Sequence, residues 1–168
     1  MSQKHLVRII RALKNNMNYW LFKSEPDCFS IDDLREMKVE HWDGTRNYQV
    51  RNMMRDDIKK GDMVLFYHSN AKKETGVVGT CQVVKEGYPD FTAMDPASEH
   101  PDPKHTEGKP IWYMVDVKYK TKFKNPVLLS TIKETPGLDG NRLTQKGNRL
   151  SVFPMEKKHY EQIVKMGA

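Results

Sequence analysis

Aromatic and polar side chains recur together along this chain, and that pairing is its clearest chemical signal. Trp20 lies just ahead of Lys23, Ser24 and Glu25, and Trp42 just ahead of Arg46 and Asn47. Tyr67 adjoins His68 and Ser69, while Tyr88 and Trp112 flank a proline-rich stretch. Flat rings give a planar ligand a surface to stack on, worth about 1–3 kcal/mol per nucleobase. Serine, asparagine, aspartate and glutamate supply the donors and acceptors that read a base edge. The same residues would equally serve as an aromatic core with capped strand ends.

Sets for catalysis are poorer. Gly76-Val-Val-Gly79 lacks the lysine and the helix of a phosphate loop. Cys28 and Cys81 could be nucleophiles and His68 a base, but a lone cysteine beside strand-like sequence is usually packing. His41, His68, His100, His105 and His159 are scattered, so a metal site would need spatial convergence. The carboxylate pairs Asp32-Asp33 and Asp56-Asp57 fall on expected helices, where they read as solvated faces. Neither a metal nor a cofactor is expected.

The elements that would position these residues follow from pattern. Residues 19–24 read as an aromatic-rich strand stopped by Pro26. Ser30 stands at an N-cap, with Asp32 and Asp33 in the first turn of a short helix. Trp42-Asp43-Gly44 reads as a turn and residues 46–58 as a second helix. Strands are expected over 63–69 and 76–85, where Gly79 permits a bulge or a close backbone approach. A long loop follows over 86–110, of the kind that is more often functional than idle. A strand over 111–119, a helical turn at 130–134, a strand over 149–153 and a helix over 155–166 complete the chain. The absence of a βαβ repeat points to an α+β fold with a curled or barrel-like sheet.

Composition confines the function. The 168 residues suit one domain, with no apolar run near the ~20 residues of a membrane span. Unpaired cysteines without a secretory signal indicate a reduced compartment, cytoplasmic or nuclear. The net charge of +6 is unevenly placed: Lys4, Arg8, Arg11 and Lys14 give residues 1–16 a charge of +4, leaving 24 basic against 22 acidic residues elsewhere. Leu6, Ile9, Ile10 and Leu13 make that leader amphipathic, and Met17 is an alternative start. Its charge would add non-specific affinity for a polyanion without affecting base choice.

The order of the motifs narrows the field. Asn18-Tyr-Trp-Leu-Phe-Lys-Ser-Glu-Pro26, Trp42-Asp-Gly-Thr-Arg-Asn-Tyr48, Arg51-Asn52 and Gly61-Asp-Met-Val-Leu-Phe-Tyr-His-Ser69 resemble the EVE domain. So do Gly76-Val-Val-Gly79, Glu86-Gly-Tyr-Pro-Asp90, Pro110-Ile-Trp112 and Arg149-Leu-Ser-Val152. The resemblance spans about residues 17–166, as a domain after the 1–16 extension, and is also to the thymocyte nuclear protein family of eukaryotes. It implies a PUA-like pseudo-β-barrel of about five or six strands with flanking short helices. It further implies non-catalytic binding of a modified nucleobase in DNA or RNA; the chain is separately expected to be a monomer. The matching positions, to which base binding is carried over, are Trp20, Lys23, Ser24, Glu25, Trp42, Arg46, Asn47, Asn52, Tyr67, His68, Ser69, Tyr88, Asp90 and Trp112.

Within that set, Trp42 is expected at an exposed turn, forming with Trp20 or Trp112 the wall on which the base stacks. Lys23 and Arg46 would hold the flanking phosphate, and Arg51 and Arg55 would extend the groove. The rival reading is an enzyme acting on a nucleotide or nucleic acid, with His68 and either Glu25 or Asp90 as its working pair. A third is a protein-interaction module docking through the leader.

Overall fold

A computed structural model describes residues 17–168, so the amphipathic segment expected over 1–16 lies outside the described residues. Its strands are β1 (Tyr19–Ser24), β2 (Val39–Trp42), β3 (Met63–His68), β4 (Gly76–Pro89), β5 (Tyr113–Leu128) and β6 (Val152–Met155). The helices are α1 (Ile31–Met37), α2 (Tyr48–Asn52), α3 (Leu129–Glu134) and α4 (Lys157–Gly167). The strands form one open mixed sheet in the order β2-β5-β4-β3-β1-β6. Four short helices and a six-stranded curled sheet are the α+β architecture expected.

Local chemistry explains several boundaries. Ser30 and Asp33 form a reciprocal cap at the start of α1: the Asp33 amide donates to Ser30 Oγ at 3.2 Å and the Ser30 amide to Asp33 Oδ2 at 2.7 Å. Asn47 caps α2, its Oδ1 accepting from the Gln49 and Val50 amides at 2.9 and 3.0 Å. α2 then widens into a π-helical turn over Met53–Asp57, which buries both Met53 and Met54.

Strand alternation divides the interior in two. Trp20, Phe22, Val64 and Phe66 enter one cluster with Ile31, Leu34, Trp42 and Val50. Leu21, Leu65 and Tyr67 face the other side, against Phe153, Tyr160 and Ile163. Pairing of β1 with β3 is parallel, from Tyr19 opposite Met63 to Ser24 opposite His68. Two polar strand ends are thereby brought out side by side.

Of the turn expected at Trp42-Asp43-Gly44, Trp42 instead ends β2, which pairs antiparallel with β5 and sets Trp42 opposite Val115, and the turn follows it. β4 runs to Pro89 and β5 to Leu128, both beyond their expected ends, so the long loop begins at Asp90. Register shifts bend this hairpin, one of them between Val77 and Gly79. A Cβ on Gly79 would lie 2.2 Å from the Thr121 carbonyl oxygen, so this position admits only glycine. Both possibilities read from that glycine, a bulge and a close approach, are realised.

Candidate functional site

The structure sorts the expected site residues into separate groups. The first gathers at the ends of the parallel strands β1 and β3. Ser24 Oγ donates to the Phe29 carbonyl at 2.7 Å, and the Ser69 amide donates to the Ser24 carbonyl at 3.0 Å. Exposed Glu25 accepts from Asn70 Nδ2 at 2.6 Å, tying the turn after β1 to the turn after β3. Beneath them Trp42 packs against Phe22, Phe29 and Phe66 with ring centroids 5.2, 6.0 and 5.3 Å away. Phe29 is partly buried and packs edge-on against Trp42, its ring centroid also 6.1 Å from that of Phe66. Phe29, not among the residues expected from sequence, joins this group through its place between the end of β1 and the cap of α1.

His68 is the polar centre of this group. Its Nε2 accepts the Ile31 amide at 3.1 Å, which assigns the proton of the neutral ring to Nδ1. Among the described residues Nδ1 makes no hydrogen bond, so its N–H is not committed within the protein. Burial lowers the His68 pKa, with Lys122 also lowering it and Asp32, Glu74 and Asp33 opposing. The group thus combines packed aromatic side chains with a neutral imidazole donor.

A second group latches the long loop to the turn after β2. Asp90, fully buried, accepts from Arg46 Nη1 at 2.9 Å, the Gly44 amide at 3.1 Å and Thr92 at 2.9 and 2.6 Å. Burial pushes its carboxyl up, but bonds from Thr92, Arg46 and Gly44 outweigh this and hold it below the usual range. The remaining Arg46 donors, Nε and Nη2, go to the His100 carbonyl at 2.9 and 2.6 Å. Trp112 donates to Asp102 at 2.7 Å and stacks near Tyr48 at 5.0 Å. His105 Nδ1 accepts from the Ile111 and Trp112 amides at 3.2 and 3.0 Å.

The other residues lie elsewhere. Trp20 is buried, its indole donating to Asp62 Oδ2 at 2.8 Å. Lys23 and Tyr67 project from the opposite sheet face, with Lys23 Nζ 5.7 Å from the Tyr67 ring and 5.4 Å from that of Phe153. Burial lowers the Lys23 pKa and pushes the Tyr67 phenol up to about 12. Tyr88 donates to Asp116 at 2.5 Å under the Lys85 ammonium, and Asn52 accepts from Arg51 at 2.7 Å. Trp42, Trp20 and Trp112 are 7%, 4% and 5% exposed, so the partly open Trp42 ring expected from sequence is corrected.

The expected phosphate-binding arginines are also engaged within the protein. Arg51 donates to the Ile111 carbonyl at 2.9 Å, and Arg55 pairs with Asp56 at 2.7 Å. Of the proposed catalytic pair, Asp90 belongs to the latch, Glu25 holds Asn70, and the basic nitrogen of His68 is occupied. Among the described residues no three His, Cys, Asp or Glu side chains gather to hold a metal ion.

The two histidine acceptors make stability pH-dependent. Burial lowers the pKa of both His68 and His105 in the fold, so the unfolded chain takes up the proton first. Their stabilisation is therefore complete above about pH 6.5 and is lost as pH falls through the lowered native values. The melting temperature should be level near neutrality and decline below about pH 6.5. The double variant His68→Gln/His105→Gln should melt lower at neutral pH with a flatter profile. An unchanged decline in that variant would remove these residues from the account.

An open, curled mixed sheet with short flanking helices and a polar site at its strand ends is the architecture of the PUA-like domains. Within that class the chain belongs to the EVE domain family, whose model matches residues 18–166. Thymocyte nuclear protein 1 from Homo sapiens is 36% identical over 173 residues, covering 92% of this chain and 76% of its own. A hypothetical protein from Leishmania major is 46% identical with a TM-score of 0.85, covering 90% of this chain and 94% of that one. The human THYN1 protein in complex with 5-methylcytosine containing DNA is 34% identical with a TM-score of 0.81, covering 89% and 97%.

Proposed function

We propose that this chain is a non-catalytic reader of nucleic acid that receives one modified nucleobase at the ends of β1 and β3. The observation that carries the reading is the joining there of half-buried Phe29, aromatic Trp42 and Phe66, and the uncommitted Nδ1–H of His68. A base withdrawn from its stack costs a few kcal/mol, recovered through stacking and edge hydrogen bonds. Phe29 supplies the stacking face, His68 Nδ1 a donor to a base acceptor, and Ser24, Ser69 and Asn70 the polar rim. An added methyl group gains apolar contact in such surroundings. The human relative's complex with DNA containing 5-methylcytosine supports that ligand class. Trp42 acts as the floor, and Arg46, Asp90 and Trp112 brace the loop beside it.

Phe29→Leu tests the site, because leucine keeps apolar packing but loses the flat ring. Affinity for an oligonucleotide carrying 5-methylcytosine should fall by about 1–3 kcal/mol, the scale of one stacked base, with little change in melting temperature. Unchanged affinity would remove Phe29 from the site. Release of a product that vanishes in His68→Ala would instead establish the enzyme reading.

A further inference from the structure

From the seven-residue connection between β3 and β4 we infer a phosphate clamp for the strand that carries the base. The inference rests on the proposed base site and adds the backbone contact that site needs. Arg46, Arg51 and Arg55, the cations expected to hold phosphates, have protein partners. Lys72, Lys73 and Lys133 differ: among the described residues none has a carboxylate within ion-pair distance. All three are exposed, and they line one groove of about 430 Å³ with Thr75 and Ser130, against the single acid Glu134.

Position ties that groove to the base site. His68 pairs with Gly76, so Lys72 and Lys73 sit on the turn that His68 closes. Asn70, two residues before Lys72, is the one bonded to Glu25. On the far side, the Leu129 amide donates to the Thr75 carbonyl at 3.0 Å, bringing the start of α3, and with it Lys133, against the turn. Asn70 and Lys72 both adopt left-handed backbone, at φ 52° and 53°. The Ala71 amide bond to Thr75 Oγ1 at 3.0 Å helps hold this bend, which non-glycine residues rarely adopt. The bend places Lys72 and Lys73 next to each other in the turn that follows the end of β3. A lysine ammonium binds phosphate as a compact point charge on a flexible stem, without needing the bidentate geometry of arginine.

The test is the salt dependence of oligonucleotide binding by the full chain, using a 5-methylcytosine strand and its unmodified counterpart. Each lost phosphate contact flattens the log–log slope by about 0.7 on single strands or about 0.9 on duplex. The triple variant Lys72→Gln/Lys73→Gln/Lys133→Gln should therefore flatten it by about 1.4–2.7, for two or three contacts, with the ratio of modified to unmodified affinity kept. A control, Lys157→Gln/Lys158→Gln on α4, removes charge elsewhere and should leave the slope in place. An unchanged slope in the triple variant, or equal flattening per charge in the control, overturns the clamp. A flattened slope in a protein that never discriminated the modified strand keeps the clamp and rejects the base reading. Absence of oligonucleotide binding by the native chain rejects both.

Discussion

Trp42→Ala is expected to lower folding stability by about 3–5 kcal/mol, the range for truncating a buried large aromatic side chain. Trp42 is 7% exposed and bounded by Phe22, Phe29 and Phe66, two of which are fully buried. Removing the indole opens a cavity between α1, β2 and the sheet that these rings cannot all collapse to fill. Loss of one exposed stacking partner would instead cost only about 1–3 kcal/mol, and in binding rather than folding. Denaturant unfolding of Trp42→Ala and Trp42→Phe separates the two. Phenylalanine should retain most of the stability, and a stable alanine variant with weakened base binding would return Trp42 to the role of an exposed wall.

Asp90→Ala should be comparably damaging, at about 3–5 kcal/mol, for an electrostatic reason. It removes a fully buried carboxylate from Arg46, the Gly44 amide and both donors of Thr92. The Arg46 side chain is 20% exposed, so it is left with little water to replace its partner. Asp90→Asn keeps the shape and part of the bonding and should lose less. Limited proteolysis should show new cleavage between residues 91 and 111 in the alanine variant, because the latch ties that segment to the turn after β2. A loss under about 1 kcal/mol would class the pair with ordinary surface ion pairs.

Much of the fold was legible because it is decided by neighbours in sequence. Ser30 and Asp33 are three residues apart, so the start of α1 needs no tertiary contact to specify it. The aromatic-rich segment 19–24 and the continuous apolar run from Met63 announce two strands, the second buried on both faces. The ordered motifs from Asn18 to Val152 were sufficient to indicate the family.

What the sequence could not place depended on pairing across distance. β2 is four residues long and exists because β5 offers it a partner; the turn read at Trp42-Asp43-Gly44 therefore starts one residue later, and Trp42 belongs to the strand. Arg46 looked like a phosphate ligand because its partners Asp90 and His100 are 44 and 54 residues away. The tautomer of His68 is set by the Ile31 amide 37 positions earlier. Local order records what a residue can do; tertiary contacts decide which capacities are already spent. Trp42, Arg46 and Asp90 are taken up by the protein itself, whereas among the described residues His68 Nδ1 has no hydrogen-bond partner and Lys72, Lys73 and Lys133 have no carboxylate within ion-pair distance.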